Sequence, residues 1–393
     1  MFKNKKTYLM PIFGFALLII IGAVLLSLPV CNNRPITFQN ALFTATSGVT
    51  TTGFTKVTLV EQFNFWGQLV LAILMEIGAM GFIIFISYFW SIKDKKIKMS
   101  DIMMINDNIS GESYSTIKEH SIFIGKFMLK VQIIGSIMLF ISFIPKYGPI
   151  QGVWYSIFHT ISAFSNTGFD LMGNNSFISL REDVYTQIVL AYSVFILFFP
   201  TLLMKVLEPE MSLLNCFFMS TTSRSTGFSI VNMNEMQQSS KIILTILMFI
   251  GGGPTSTAGG VRIIPIAIVL ATIVSTLRGK DETIMFWRKI PDSIIKRAFT
   301  ILLLFIFVLI VNIMIMSDAH NLSVLEITFN SVSAISNTGL TLIDMNSLNT
   351  TQEICIILLM FIGRVGILSL VLIFFIEDKK SKLIKYPNEN VIL

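Results

Sequence analysis

Four short phrases concentrate the residue types that could do chemistry here. They read TATSGVTTTGF at Thr44–Phe54, HTISAFSNTGF at His159–Phe169, FMSTTSRSTGF at Phe218–Phe228 and NSVSAISNTGL at Asn330–Leu340. Each closes on Thr-Gly followed by Phe or Leu, after a run of small, hydroxylated and apolar residues. What such segments offer is backbone: glycine admits angles that turn carbonyl oxygens toward an axis. Four strands so disposed would replace the water shell of a potassium ion with carbonyl dipoles. The positions concerned are Thr51, Thr52 and Gly53; Asn166, Thr167 and Gly168; Ser225, Thr226 and Gly227; and Asn337, Thr338 and Gly339. One Thr-Gly alone reads equally well as a loop turn, but four in matching context do not.

A second motif, GGGPTSTAGG, interrupts the apolar run Ile242–Thr276. It comprises Gly251, Gly252, Gly253, Pro254, Thr255, Ser256, Thr257, Ala258, Gly259 and Gly260, and that density of glycine and proline breaks a helix. In lipid the released backbone groups need water or protein partners, so such a break is expected beside a cavity. A phosphate-cradling loop would end in Gly-Lys-Ser/Thr, which is absent. The third motif is GRVG, Gly363–Gly366, inside the last apolar run. A charge at mid-span costs about 3 kcal/mol, so Arg364 should face a cavity or pair with backbone carbonyls.

Other candidates are weaker. Asp170 and Asp344 follow the second and fourth phrases and could concentrate cations at an outer mouth. Glu76 is a carboxyl inside an apolar run, near a polar seam. His120, His159 and His320 are scattered, and no Ser, His and acid stand together, so hydrolysis has no support and the chain does not read as an enzyme. Cys31, Cys216 and Cys355 are too far apart in sequence for a disulfide framework or metal cluster and read as small apolar residues. No cofactor is implied.

The elements that must hold these motifs follow from composition. Of 393 residues, 53% are hydrophobic and only 13% charged, against about 25% charged in soluble domains. No charge occurs in Thr7–Asn33, Val184–Met204, Ile242–Val261 or Ala298–Ser317, and about 20 apolar residues cross a hydrocarbon core. Phe65–Trp90, Ser121–Pro145 and Ile354–Ile376 add three further spans. The first run lacks a small-residue cleavage site and reads as a retained helix. Basic residues cluster at Lys93–Lys98, Arg278–Arg297 and Lys379–Lys385, which places these segments and the N-terminus in the cytoplasm. A net charge of +6 spread in this way does not suit nucleic acid.

On the four phrases, the glycine-rich break and Arg364, the chain resembles the Trk/Ktr/HKT potassium transporters, above all the bacterial Ktr-type or Trk-type membrane subunit, over nearly its whole length. The resemblance implies an all-α polytopic membrane protein, with four helix/pore-loop/helix units around a pseudo-fourfold pore. It implies a potassium filter centred on Gly53, Gly168, Gly227 and Gly339. A serine at the first of these goes with sodium selectivity in the family, so Gly53 favours potassium as substrate, sodium being an alternative or a co-ion. It further implies that Gly251–Gly260 and Arg364 gate the path, and that Arg224 supports the filter. As partners it implies a second copy in a homodimer and a cytosolic nucleotide-binding regulatory ring, in the plasma membrane. Thr283–Arg297, with Phe286 and Trp287 among basic residues, is a candidate contact for that ring or for lipid head groups.

The units fall at 1–98, 99–207, 208–282 and 283–393, but their spacing is uneven. The glycine intervals 53–168 and 227–339 are each about twice the interval 168–227. Two crossings and a pore helix need roughly 55 residues, so the junction between the second and third units is abbreviated. Asn174–Asp183 is too polar to be half a span, and only Val184–Leu207 remains. Parity then puts the third phrase on the wrong side, unless the chain breaks and turns near Pro200 or Pro209. The alternative reading is a non-conducting or regulatory homologue disabled by the lost helix.

Overall fold

In the computed structural model the described residues are 5–81, 114–173, 198–253, 259–280, 282–285, 288–317, 322–367 and 370–371. These form helices joined by short turns, with a single two-residue hairpin among them: β1 (Ile284–Met285) pairs antiparallel with β2 (Arg288–Lys289). Within that segment Phe286 and Trp287 lie outside the described residues, as do Pro254–Ala258 of the glycine-rich motif, the basic clusters near Lys93 and Lys379, and most of the abbreviated junction.

Each unit is built on a short helix that ends just before its Thr-Gly. In the first unit, α1 (Lys5–Ser27) leads to α2 (Phe38–Val49), the four-residue α3 (Leu59–Gln62) follows the Thr-Gly, and α4 (Phe65–Met80) closes the unit. The second has α5 (Tyr114–Tyr147) and α6 (Pro149–Phe164). Within the bounds read for the second unit α7 (Phe198–Leu207) follows, and the third has α8 (Leu213–Thr222), α9 (Gln238–Ile250) and, beyond the glycine-rich motif, α10 (Ile263–Leu277). The last has α11 (Asp292–Ser317), α12 (Val324–Ile335) and α13 (Thr350–Val365).

The short helices start where the sequence supplies caps. Thr37 and Ser212 accept from the Asn40 and Asn215 N–H groups, Ser323 and Glu326 form a capping box, and Pro149 sits in the first turn of α6. Their bodies are buried: Thr44, Thr46, Ser47, Ser156, Ser220, Asn330 and Ser331 are all shielded from solvent. The longer helices do the reverse. Phe13, Leu17 and Ile20 of α1, Phe123, Ile133 and Ile141 of α5, and Leu303, Phe307 and Met314 of α11 point outward and exposed. A protein with hydroxyls inside and large apolar faces outside is arranged for lipid and not for water.

Gly125–Tyr147 and Asp292–Ser317 are each long and apolar enough to cross a membrane. In the candidate spans Phe65–Trp90 and Ile354–Ile376, α4 stops at Gly81 (φ 75°) and α13 at Gly366 (φ 89°). Left-handed glycines end helices because the C-terminal carbonyls are then satisfied at no steric cost. The turn-back near Pro209 expected for the third unit is present. The Glu208 N–H returns to Met204 O (2.8 Å) and the Met211 N–H to Glu208 O (3.1 Å), after which α8 packs on α7.

Candidate functional site

Three of the four Thr-Gly turns share one construction. The N–H of Thr52 bonds Ser47 O (2.8 Å) and that of Thr51 bonds Gly48 O (3.2 Å). Thr167 and Asn166 do the same to Ser162 and Ala163 (2.9 and 3.1 Å), as do Thr338 and Asn337 to Ser333 and Ala334 (2.9 and 3.1 Å). This paired closure is the Schellman arrangement, which needs a left-handed residue; Thr51, Asn166 and Asn337 supply it at φ 54°, 54° and 52°. A hydroxyl pair ties each turn: Thr50 with Thr52 (2.7 Å), Ser165 with Thr167 (2.8 Å) and Ser336 with Thr338 (3.0 Å).

The third turn departs from this plan. Arg224 stands where the others have a hydroxyl, and the carbonyl of Thr222 receives the N–H groups of Ser225 (3.3 Å), Thr226 (3.0 Å) and Gly227 (3.1 Å). With its hydroxyl partner missing, Thr226 donates across to Asn166 Oδ1 of the second unit (3.1 Å).

The structure brings the four glycines together in a cycle. A Cβ on Gly53 would overlap Thr167 O; on Gly168, Thr226 O; on Gly227, Thr338 O; and on Gly339, Thr52 O. Each glycine therefore abuts the threonine carbonyl of the next unit, and the fourth returns to the first. Two demands meet at each position, a positive φ of 77–93° and no room for a side chain. Asn337 Nδ2 fastens the last unit to the first through Thr52 Oγ1 (3.0 Å) and also donates to Met360 O (2.9 Å).

All four glycines open into one cavity of about 410 Å³, which Asp170 and Asp344 also line. The third turn, which parity set on the wrong side, thus shares this mouth with the other three. The sequence reading passed over Lys56, which lines the same cavity. Its Nζ lies 2.8 Å from Glu353 Oε2, which also accepts from Gln39 Nε2 (2.6 Å), and the two ionic side chains are only 11% and 1% exposed. These partners are 297 residues apart, and no spacing pattern reveals them.

The glycine-rich motif packs against the turn of the last unit. Gly251 ends α9 at φ 69°, Gly260 is at φ 83°, and the N–H of Gly259 donates to Ser336 O (3.1 Å). Ile263 N–H bonds Gly252 O (3.2 Å), and Gly253 is half-buried. A Cβ on either Gly259 or Gly363 would strike Ile335 O and Asn337 Oδ1, so both elements lie directly against the same turn. Gly78 of α4 stands in the same relation to Val49 O in the first unit.

Both sequence-predicted arginines are placed among these contacts. Arg224 reaches Gly251 O with a long bond of 3.5 Å. Arg364 donates to Gly78 O and lies 5.9 Å from the centroid of the Phe15 ring. Arg262, at φ 71° just after the glycine-rich motif, is a neighbouring charge of Arg364 that the sequence reading did not single out. Its signal was the abrupt return of a basic residue after a long uncharged run.

His159 has a positioning place. Its Nδ1–H donates to Tyr155 O (2.6 Å), and its Nε2 accepts the Leu171 N–H (3.1 Å), which pins the strand that follows the second turn. Glu76 is set apart from the ring, on the face of α4 toward α5, where Gln132 Nε2 meets its Oε1 at 2.5 Å.

Comparison with known proteins agrees with this architecture. The family model described as TrkH, cation transport protein, matches residues 15–203 and 194–386, and the two stretches overlap inside the short 168–227 interval. The chain is 30% identical to the potassium/sodium uptake protein NtpJ of Enterococcus hirae over 430 aligned positions, covering 97% of this chain and 95% of that one. It is 29% identical to the Ktr system potassium uptake protein B of Bacillus subtilis, covering 96% and 94%. Among solved structures, the potassium transporter TrkH of Vibrio parahaemolyticus superposes with a TM-score of 0.76 at 16% identity, over 94% of this chain and 85% of that one. An all-α polytopic membrane fold, four glycine turns in one cycle and a family match along the whole chain lead to one conclusion: the protein is a member of the TrkH family of cation transport proteins.

Proposed function

We propose that this chain takes up potassium across the plasma membrane by passing the dehydrated ion through the ring of Thr-Gly turns. The observation that carries the reading is the cyclic abutment of Gly53, Gly168, Gly227 and Gly339 on the carbonyls of Thr167, Thr226, Thr338 and Thr52. Carbonyl dipoles held in such a ring can stand in for hydration water. Thr51, Asn166, Ser225 and Asn337 shape the turns from outside the ring, and Arg224 braces the third. A ring complete in all four units favours a working pore over a disabled homologue despite the short junction.

Gly251–Gly260 and Arg364 form the gate. Arg364 presents fixed positive charge beneath the ring, and Arg262 adds to it, so a cation crosses only when the glycine-rich segment and these side chains give way. The N-terminus is cytoplasmic by the distribution of Lys and Arg. The Ktr relatives suggest a cytosolic regulatory partner, with a homodimer in the membrane; Thr283–Arg297 is the candidate contact. The name of the Enterococcus relative keeps sodium as a second permeant or coupled ion.

The test is rescue of potassium-uptake-deficient cells at low external potassium, with rubidium influx measured beside it. The intact chain should restore both, and Gly227→Asp should abolish influx while leaving membrane insertion unchanged. An inserted chain that gives neither rescue nor influx would overturn the proposal.

A further inference from the structure

Glu76 is a half-buried carboxyl that the conduction path does not use, and its Oε2 is fully buried. It sits on α4 and faces an open cleft of about 560 Å³ between the first and second units, walled by α5 and α6. The lining is apolar, Met80, Phe140 and Ile161 among it, apart from Glu76, Gln132 and Ser136. Gln132 Nε2 contacts Oε1 at 2.5 Å, whereas Oε2 is buried without a hydrogen-bond partner. Among the described residues no cation pairs with this carboxyl. Of the titratable groups on the surrounding elements, Lys126 and Lys130 of α5 are exposed, and His159 of α6 is taken by Tyr155 O and Leu171 N. Tyr155 packs on the His159 ring, Arg364 contacts the Gly78 carbonyl, Cys31 lies in the turn after α1, and α2 carries no ionisable side chain.

An ionised carboxylate in such a place bears a desolvation cost that one amide cannot offset. A metal cation does not solve the problem: Oε2 is buried away from water, and no cluster of metal-ligating side chains exists among the described residues. A proton needs neither space nor a cage. The amide of Gln132 suits both states, since its N–H₂ donates to a carboxylate and its oxygen accepts from a carboxylic acid.

We propose that Glu76 is an intramembrane proton-binding site at the seam between the first and second units, with Gln132 as the partner that turns over when the proton comes or goes. The site is linked to the ring through one residue of α4: Gly78, two positions on, packs against Val49 O of the first turn, and its carbonyl receives Arg364. A proton at Glu76 therefore acts on the helix that both flanks the ring and holds the pore arginine.

The inference does not rest on the conduction reading, and its test is read on the carboxyl itself. The intact chain in lipid vesicles is treated with dicyclohexylcarbodiimide, an apolar reagent that attacks only protonated acids, and the adduct is mapped by peptide mass. Expected is an adduct on Glu76 whose yield falls as pH rises, about tenfold per pH unit above its midpoint, with little reaction from a water-soluble carbodiimide. A neutral-carboxyl carbonyl band in the infrared spectrum, lost in the isosteric Glu76→Gln, should titrate over the same range. No adduct at Glu76, or a yield and band that do not change with pH, would overturn the proposal.

Discussion

Thr51 is the least comfortable residue of the four turns. Its left-handed conformation costs a β-branched side chain on the order of 1–3 kcal/mol, whereas Asn166 and Asn337 occupy the equivalent places at little cost because asparagine tolerates that region. Thr51→Asn should therefore raise the unfolding temperature slightly in detergent and leave rubidium influx intact. Gly168→Ala should do the opposite, since the added methyl meets Thr226 O and the backbone stands at φ 80°; influx should be lost although the protein still inserts. Equal behaviour of the two variants would show that the turns are not conformationally selected. The turns were legible in the sequence because everything that makes them is local, from the hydroxyl run to the glycine. Lys56 and Glu353 were not, since neither sits in a motif and only the fold brings them together.

At the scale of the helix, the glycine-rich break and the single glycines behave differently as signals. Gly251–Gly260 was readable as a helix break because five glycines and a proline in ten residues cannot sustain a continuous helix. Gly81 and Gly366 were not, because one glycine in an apolar run is tolerated at about 1 kcal/mol and carries no mark of its φ. The close approaches of Gly78 and Gly363 to the first and last turns were equally silent. Here the contrast is testable: Gly363→Ala drives a methyl into Ile335 O, and overpacking of this kind costs about 1–3 kcal/mol. A Cβ at Gly81 meets nothing within 4 Å, so Gly81→Ala strains only the backbone. Melting of the purified variants should rank Gly363→Ala as the more damaging. A reversed order would mean that the helix ends, and not the contacts, hold α4 and α13 against the turns.

On the scale of the whole molecule, closure of the first unit on the last depends on polar contacts buried at both ends of the ring. Asn337 joins Thr52 beside the carbonyls, and Lys56 joins Glu353 at the cavity mouth. Removal of one partner from a buried ion pair strands the other, at a cost of about 3–5 kcal/mol, whereas loss of both is much cheaper. Lys56→Met should therefore destabilise the chain strongly, and Lys56→Met combined with Glu353→Leu should recover much of the loss in a thermal melt. Additive losses would mean that the pair is not the seam. Sequence reading located the shortage between Gly168 and Gly227 and left the side of the third turn open between parity and a reversal near Pro200 or Pro209. Parity of crossings is a count of whole spans, and it does not register a short helix such as Phe198–Leu207 followed by a tight reversal.

The departure of the third turn has a consequence for how such a ring can change over time. In an assembly of identical subunits every substitution is repeated at each corner, so a charged residue beside the carbonyls would arrive fourfold or not at all. Here one polypeptide supplies every corner, and Arg224 occurs once, opposite hydroxyls that stay as they are. Each quarter of the ring is therefore open to revision by itself, and discrimination between ions can be adjusted in single steps.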